Sequence, residues 1–269
     1  MRSNSRATLI GGYTGPMQEE LAVRTYPEMN FGGFSRVDGS IAFLNRAHAM
    51  APPTGVVLDV GCGRGEGSED ACELRAKLCD FRAPGRTVIG IDVDEAARHN
   101  PLMDEVRLMK PDFSWPITSG SVDLAVCRSV IEHVVETNRF FEELARVLRP
   151  GGVFAAHTTN LLSYPGLASK LIPNRLHART IAMSQPDREE RDVFPTAYRC
   201  NTIWRLRKAL NSVGLRGVVY GIEAEPSYLQ FSRLAYTTGA LLHQFIPSMF
   251  SSRLLVFARK DKLQIDKGI

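Results

Sequence analysis

From Gly55 onward, apolar runs punctuated by Gly and Pro recur along the chain, and their lengths and spacings separate strands from helices. GVVLDV (55–60) is an unbroken apolar run ending at a glycine, the pattern of a parallel strand buried on both faces. RTVIGID (86–92) repeats it, and EVRLMK (105–110) alternates like an edge strand. SVDLAVC (121–127) and GVFAAH (152–157) complete a set of five. Between the last two, Phe140, Phe141, Leu144, Val147 and Leu148 recur at helical spacing. Arg146 and Arg149 suit the negative end of that helix, and Pro150-Gly151-Gly152 stops it. A later helix sets Ile203, Leu206, Leu210 and Val213 on one face and ends at Gly214. RGVVYGIE (216–223) and SRLLVFARK (252–260) then read as two further strands. Strands alternating with helices over this length predict a parallel, doubly wound α/β sheet.

Three segments stand outside the alternation. Residues 1–50 form an N-terminal arm with a helix near 38–50, and residues 51–269 form one domain. That domain carries an insertion at 158–200, rich in Pro, Arg and aromatic residues, and a mostly apolar one at 226–250.

Composition narrows the class. With 269 residues, 44% hydrophobic and 23% charged, the chain has ordinary globular proportions and enough length to bury a substantial core. Its 33 basic and 29 acidic residues leave +4, too small an excess to argue for a nucleic-acid partner. The five cysteines (Cys62, Cys72, Cys79, Cys127, Cys200) are odd in number and include no C-x-x-C pair. This speaks against a disulfide framework or a four-cysteine zinc site and for a reducing, cytoplasmic setting. The first residues hold no apolar stretch long enough for a secretory signal, and nowhere do 18 apolar residues run uninterrupted, so a soluble chain is expected.

The sharpest chemical feature is VLDVGCGRGEG (57–67), a glycine loop placed after a strand and before an expected helix. Gly61, Gly63 and Gly65 permit a tight turn and close approach of backbone to ligand, and the following helix would offer N–H groups to an anionic group. A phosphate-binding P-loop needs Gly-Lys-Ser/Thr, which is absent. A dinucleotide fingerprint counted from Gly61 would place its third glycine at Glu66, setting pyrophosphate against a carboxylate. The remaining reading is G-x-G-x-G preceded by Asp59, a loop for a ligand with an ammonium and no phosphate. Asp92 ends the second strand, where a carboxylate can accept both hydroxyl hydrogens of a ribose. Asp112 and Phe113 follow the third strand, suited to an adenine amino group and ring face.

Together, residues 55–158 resemble the class I S-adenosylmethionine-dependent methyltransferases, specifically the small-molecule, methyltransferase-11-like group. The matching pieces are VLDVGCGRG, VIGIDVD, DFSWPITSGSVDLAVC, SVIEHV and RVLRPGGVF, in that order. The outer segments YPEMNFGGFSRVDGSIAFLNR (26–46), IPNRLHAR (172–179) and DVFPTAYRCNT (192–202) resemble a bacterial branch of the family. The resemblance implies a Rossmann-like seven-stranded sheet in which SRLLVFARK is the one antiparallel strand. It implies S-adenosylmethionine as donor, S-adenosylhomocysteine as product and no metal. Cofactor contacts fall on Asp59, Gly61, Cys62, Gly63, Gly65, Asp92, Val93, Asp112, Phe113 and Arg128.

Methyl transfer is an in-line displacement that rests on alignment and desolvation, with a base needed only when the nucleophile carries a proton. His133, in SVIEHV at the carboxyl edge, is the first candidate base and His157 the second. Glu132 and His133 alternatively shape the pocket, and His157 alternatively is a satisfied strand-end histidine. Tyr164, Arg175, His177, Tyr198 and Arg199 in the first insertion are candidate acceptor contacts. Residues 160–210 carry nine Lys or Arg against four Asp or Glu, which suits a phosphorylated sugar, a carboxylate or a lipid headgroup, or is solvated surface charge. Residues 228–250 read as a packed helix or dimer face, with a peripheral membrane helix as the alternative. The acceptor is accordingly a small molecule, glycan or lipid-linked sugar. Rival readings are a nucleotide-dependent oxidoreductase and a non-catalytic donor-binding module.

Overall fold

The structure is a computed structural model, and it describes residues 16–110, 112–171 and 195–262. Its N-terminal arm comprises α1 (Pro16–Thr25) and α2 (Gly39–Met50). Asp38 starts α2: its Oδ1 accepts the Ser40 and Ile41 backbone N–H groups, both at 2.9 Å, satisfying two of the donors a helix start leaves open. Then follow β1 (Gly55–Val60), α3 (Glu73–Cys79), β2 (Arg86–Asp92), β3 (Glu105–Leu108) and β4 (Val122–Arg128). The remainder is α4 (Thr137–Val147), β5 (Leu148–Thr159), α5 (Tyr164–Leu171), α6 (Ile203–Ser212), β6 (Leu215–Ile222), α7 (Arg233–His243) and β7 (Arg253–Lys260).

The seven strands form one sheet in the order β3-β2-β1-β4-β5-β7-β6. All neighbours pair in parallel except β7, which runs antiparallel to both β5 and β6. This is the expected doubly wound α/β sheet with its single reversed strand. Helices cover both faces, so strand residues of both parities are buried. Leu58 and Val60 join α4 and α6 in one core cluster, while Val57 joins Phe43, Leu44 and Ala47 of α2 in the other. A smaller cluster of Ala22, Tyr26, Met29 and Tyr236 packs the arm against α7.

Two local expectations change. The strand expected at 152–157 begins at Leu148, directly after α4, because Leu148 pairs with Val122 and the register shifts before Leu124. Pro150-Gly151-Gly152 therefore lies in the irregular start of β5. Lys260 stops α4 from the sheet side by donating to the Ala145 and Leu148 carbonyls at 2.6 and 2.7 Å. The second change follows the glycine loop, where the expected helix is instead a 3₁₀ turn (Glu66–Glu69), with the seven-residue α3 beginning only at Glu73. Asp70 takes the Cys72 N–H and pairs with Arg75, which anchors the chain between turn and helix.

Arg75 also reaches Asp38, so one carboxylate both caps α2 and ties the arm to the segment behind the glycine loop. Breaking a buried pair strands a charge, and losing the cap frees two donors. Asp38→Ala is expected to cost about 2–4 kcal/mol in urea unfolding. Asp38→Asn retains an acceptor for the cap and should cost less; equal losses would assign the whole effect to Arg75.

Candidate functional site

The chain reverses direction across the sheet between β1 and β4, and at their carboxyl ends lies a cleft of about 160 Å³. Gly61, Cys62, Gly63, Gly65, Glu66, Gly67, Leu102 and Arg128 line it. Gly61 and Gly65 have φ of 70° and 90°, and a Cβ on either would run into Val130 or Pro101, so both positions require glycine. At Gly63 a Cβ would meet only Glu66 Oε2 at 3.4 Å, so the loop's open side can admit a ligand against bare backbone.

Hydrogen bonds hold the loop in this shape. The Gly61 and Cys62 N–H groups donate to the Ile91 carbonyl at 2.8 and 3.2 Å. Gly63 N–H donates to Asp92 Oδ2 and Asp94 N–H to Asp92 Oδ1, both at 2.9 Å. Asp92 is thus a buried carboxylate of fixed orientation, with a lone pair left on each oxygen. Asn100 is a loop residue that the sequence reading missed: its amide donates to the carbonyls of Cys62 and Gly63 at 2.8 and 3.2 Å. No local pattern marks it, since its partners lie nearly forty positions away.

Asp59 is buried and bound at 2.9 Å by Arg128, whose other nitrogen meets Cys79 Sγ at 3.2 Å. Arg128 thus matches the Asp59 charge through Oδ2, while Oδ1 is buried with no hydrogen-bond partner among the described residues. Burial raises the Asp59 carboxyl above its ordinary range while Arg128 opposes the rise. The Cys62 thiol is pushed up to about 12, by burial first and then by Asp59 and Asp92, so it stays protonated and contributes through its backbone.

Beyond β2 and β3, Val93 and Phe113 are each more than half exposed, Phe113 at φ 59°. Asp112 faces solvent, where bonds from Ser114, with Arg139 alongside, hold its carboxyl below the usual range. None of these three lines the cleft.

Past the end of β4, Glu132 is buried and accepts from Thr158 at 2.6 Å. Its own carbonyl takes the Ala197 and Tyr198 N–H groups at 2.7 and 3.0 Å, which pins the far end of the first insertion to the sheet edge. His133 Nδ1 lies 3.1 Å from the Pro195 carbonyl, which can only accept, so Nδ1 carries a proton. His157 is buried edge-on against Phe43. Burial, then Arg253 and Arg128, hold it well below the usual imidazole range, an environment that opposes taking a proton. Arg199 is exposed, and Arg175 and His177 lie outside the described residues.

Tyr164 meets a cluster that was not anticipated. Its ring lies 5.9 Å from that of His243. His243 Nδ1 is 2.9 Å from the Ala224 carbonyl and 3.7 Å from Glu223 Oε1, a buried oxygen with no hydrogen-bond partner among the described residues. Burial, with Glu223 nearby, raises the Tyr164 phenol well above its ordinary range. Tyr26 is pushed up to about 12 by burial and then by Glu225. In the sequence His243 merely interrupts an apolar run; its partners come from the end of β6.

Residues 58–156 match the methyltransferase domain family. A protein of Mycolicibacterium smegmatis named a probable S-adenosylmethionine-dependent methyltransferase is 35% identical over 129 residues, 46% of this chain and 46% of its own length. A Mycobacterium tuberculosis protein of the same description is 33% identical over 130 residues, 46% of this chain and 43% of its own length. The chain thus spans a little under half of these curated relatives. Among solved structures, geranyl diphosphate C-methyltransferase from Streptomyces coelicolor A3(2) superposes with a TM-score of 0.51 at 16% identity. That superposition covers 96% of this chain and 88% of that one and shows a shared fold. Residues 58–156 belong to the class I S-adenosylmethionine-dependent methyltransferase family.

Removing the counter-ion tests the cleft floor. In Arg128→Met the buried Asp59 carboxyl should remain protonated above its unfolded value of about 4. The folded state then binds more protons than the unfolded one, and stability falls as pH rises from about 5. Urea midpoints should decline with a limiting slope of about 1.4 kcal/mol per pH unit, and Asp59→Asn in that background should flatten the profile.

Proposed function

We propose that the chain transfers a methyl group from S-adenosylmethionine to a small-molecule, glycan or lipid-linked acceptor. The observation that carries this reading is the Asp92 carboxylate, locked by Gly63 and Asp94 beside a loop of left-handed glycines. S-adenosylmethionine, when bound, supplies a methyl carbon already activated by a sulfonium. The residues present suit it: Asp92 has two lone pairs for ribose hydroxyls, and the open face of Gly63 admits the chain that joins ribose to the amino acid. Val93 and Phe113 offer apolar surfaces for an adenine ring, and Asp112, next to Phe113, supplies a carboxylate acceptor. Glu66 on the cleft wall disfavours the pyrophosphate of a dinucleotide, which counts against the oxidoreductase alternative.

What the protein adds is position. The loop and Asp92 hold the donor. His133, three residues after the Val130 that packs under Gly61, is the base for a proton-bearing acceptor in this reading. Tyr164, His243 and the unsatisfied Glu223 oxygen form a polar wall where β5 and β6 end, suited to hydroxyl or amino groups of the acceptor.

Calorimetric titration should give micromolar binding of S-adenosylmethionine and S-adenosylhomocysteine and silence with NAD. Asp92→Ala removes two charge-assisted acceptors and should weaken both ligands about a hundredfold. Heat from NAD alone would overturn the reading.

Turnover is read separately, by incorporation of labelled methyl into metabolite and lipid extracts. His133→Ala should lower it by about 10²-fold while S-adenosylhomocysteine affinity stays within about twofold. Donor binding with no incorporation by the native chain would instead favour a non-catalytic module.

A further inference from the structure

Helix α7 inverts the usual order of an amphipathic surface helix. Its inward side carries Tyr236, Gly239, Ala240 and His243. Its outward stripe is apolar: Leu234 (78% exposed), Leu241 and, just past the last turn, Phe245 (75% exposed) recur at i, i+7 and i+11. Leu242 flanks the stripe, and exposed Phe231 precedes it. Scattered apolar residues on a surface are ordinary, but five large ones within fifteen positions make a patch.

Within the segment that carries the patch, charge has one sign. From Pro226 to Arg253 the chain holds no Asp or Glu. Arg233 opens α7 and has no acidic partner among the described residues. Beside the stripe, α1 and α7 enclose a second cleft of about 410 Å³, where Leu21, Ala240 and Leu241 share the lining with Arg24, Arg36 and Arg233. Arg24 and Arg36 face Glu20 and Glu28, so Arg233 carries the uncompensated charge.

We infer that this face docks on the surface of an anionic lipid bilayer, with the stripe in the headgroup–acyl boundary and a lipid phosphate in the cleft between α1 and α7. A bilayer supplies both things the face lacks, apolar depth for the stripe and negative charge for Arg233. A two-fold contact between copies would set the two Arg233 side chains on facing surfaces whose acids, Glu20 and Glu28, already pair with Arg24 and Arg36. Among the described residues no helix is long and apolar enough to cross a membrane.

Co-sedimentation of the full chain with phosphatidylcholine vesicles, with and without phosphatidylglycerol, tests this. Binding to the anionic vesicles should be about tenfold tighter or more, and should weaken as salt rises. Leu241→Asp combined with Phe245→Asp should reduce it by about tenfold or more, and Arg233→Ala by about fivefold. Thermal unfolding checks each variant; if the Asp pair unfolds, Leu241→Ser with Arg233→Ala carries the test. Three results would each overturn the inference: no sedimentation of the native chain with either vesicle, variants that bind like the native chain, or a native dimer that the Asp pair converts to monomer. The assay contains neither donor nor acceptor, so it stands or falls independently of methyl transfer.

Discussion

The carboxylate of Asp92 is the constraint on which the cleft beside the glycine loop depends. It ends β2, where a parallel strand exposes its last residue to the crevice, and it spends one lone pair of each oxygen on the backbone. One bond holds the glycine loop after β1 and the other holds the turn after β2, so two separate loops share a single rigid reference point. A carboxylate fixed in this way loses little freedom when hydroxyl groups reach its remaining lone pairs, which is how preorganisation becomes affinity. Asn100 holds the same loop from its other side, and Arg128 neutralises the acid beneath it. The shape of the cleft is therefore set before any ligand arrives.

Charge is arranged differently at the two ends of the sheet. Around β1 and β4 charges are paired, the buried Asp59 with Arg128 and the half-buried Arg64 with Asp94, and Glu66 is left on the wall. Around the ends of β5 and β6 the groups are weak acids and a histidine (Tyr26, Tyr164, Glu223, Glu225, His243), and burial keeps Tyr26, Tyr164 and Glu225 from easy ionisation. The first environment suits a ligand that brings its own positive charge. The second suits neutral hydrogen-bonding groups.

Much of this could be read from the chain, for reasons that also mark what could not. β1 and β2 were placed to the residue because strands buried on both faces leave unbroken apolar runs. The glycine loop and Asp92 were legible because backbone chemistry demands those residue types there. Pro150-Gly151-Gly152 looked like a terminator, yet pairing of Leu148 with Val122 draws it into β5, a tertiary effect that no local rule contains. The turn at Glu66 replaced the expected helix because Asp70 found partners in Cys72 and Arg75. That Asp59 pairs with Arg128 was not legible, because the two lie 69 positions apart. His243 and Glu223 were passed over because their meeting depends on how α7 folds back over the end of β6.

The docking of the N-terminal arm has a consequence for how the molecule assembles. Ser35 bonds Glu225 across 190 positions, and Ser40 accepts from Arg253 across 213. On a ribosome adding about 5–20 residues per second, the arm emerges roughly 10–40 seconds before those partners exist. Its helix cap and its Arg75 clamp can form early, but the contacts that settle it on the sheet edge wait for β6 and β7. In order of synthesis the arm comes first; in order of completion it comes last, and until then the surface it will cover lies open to chaperones and proteases.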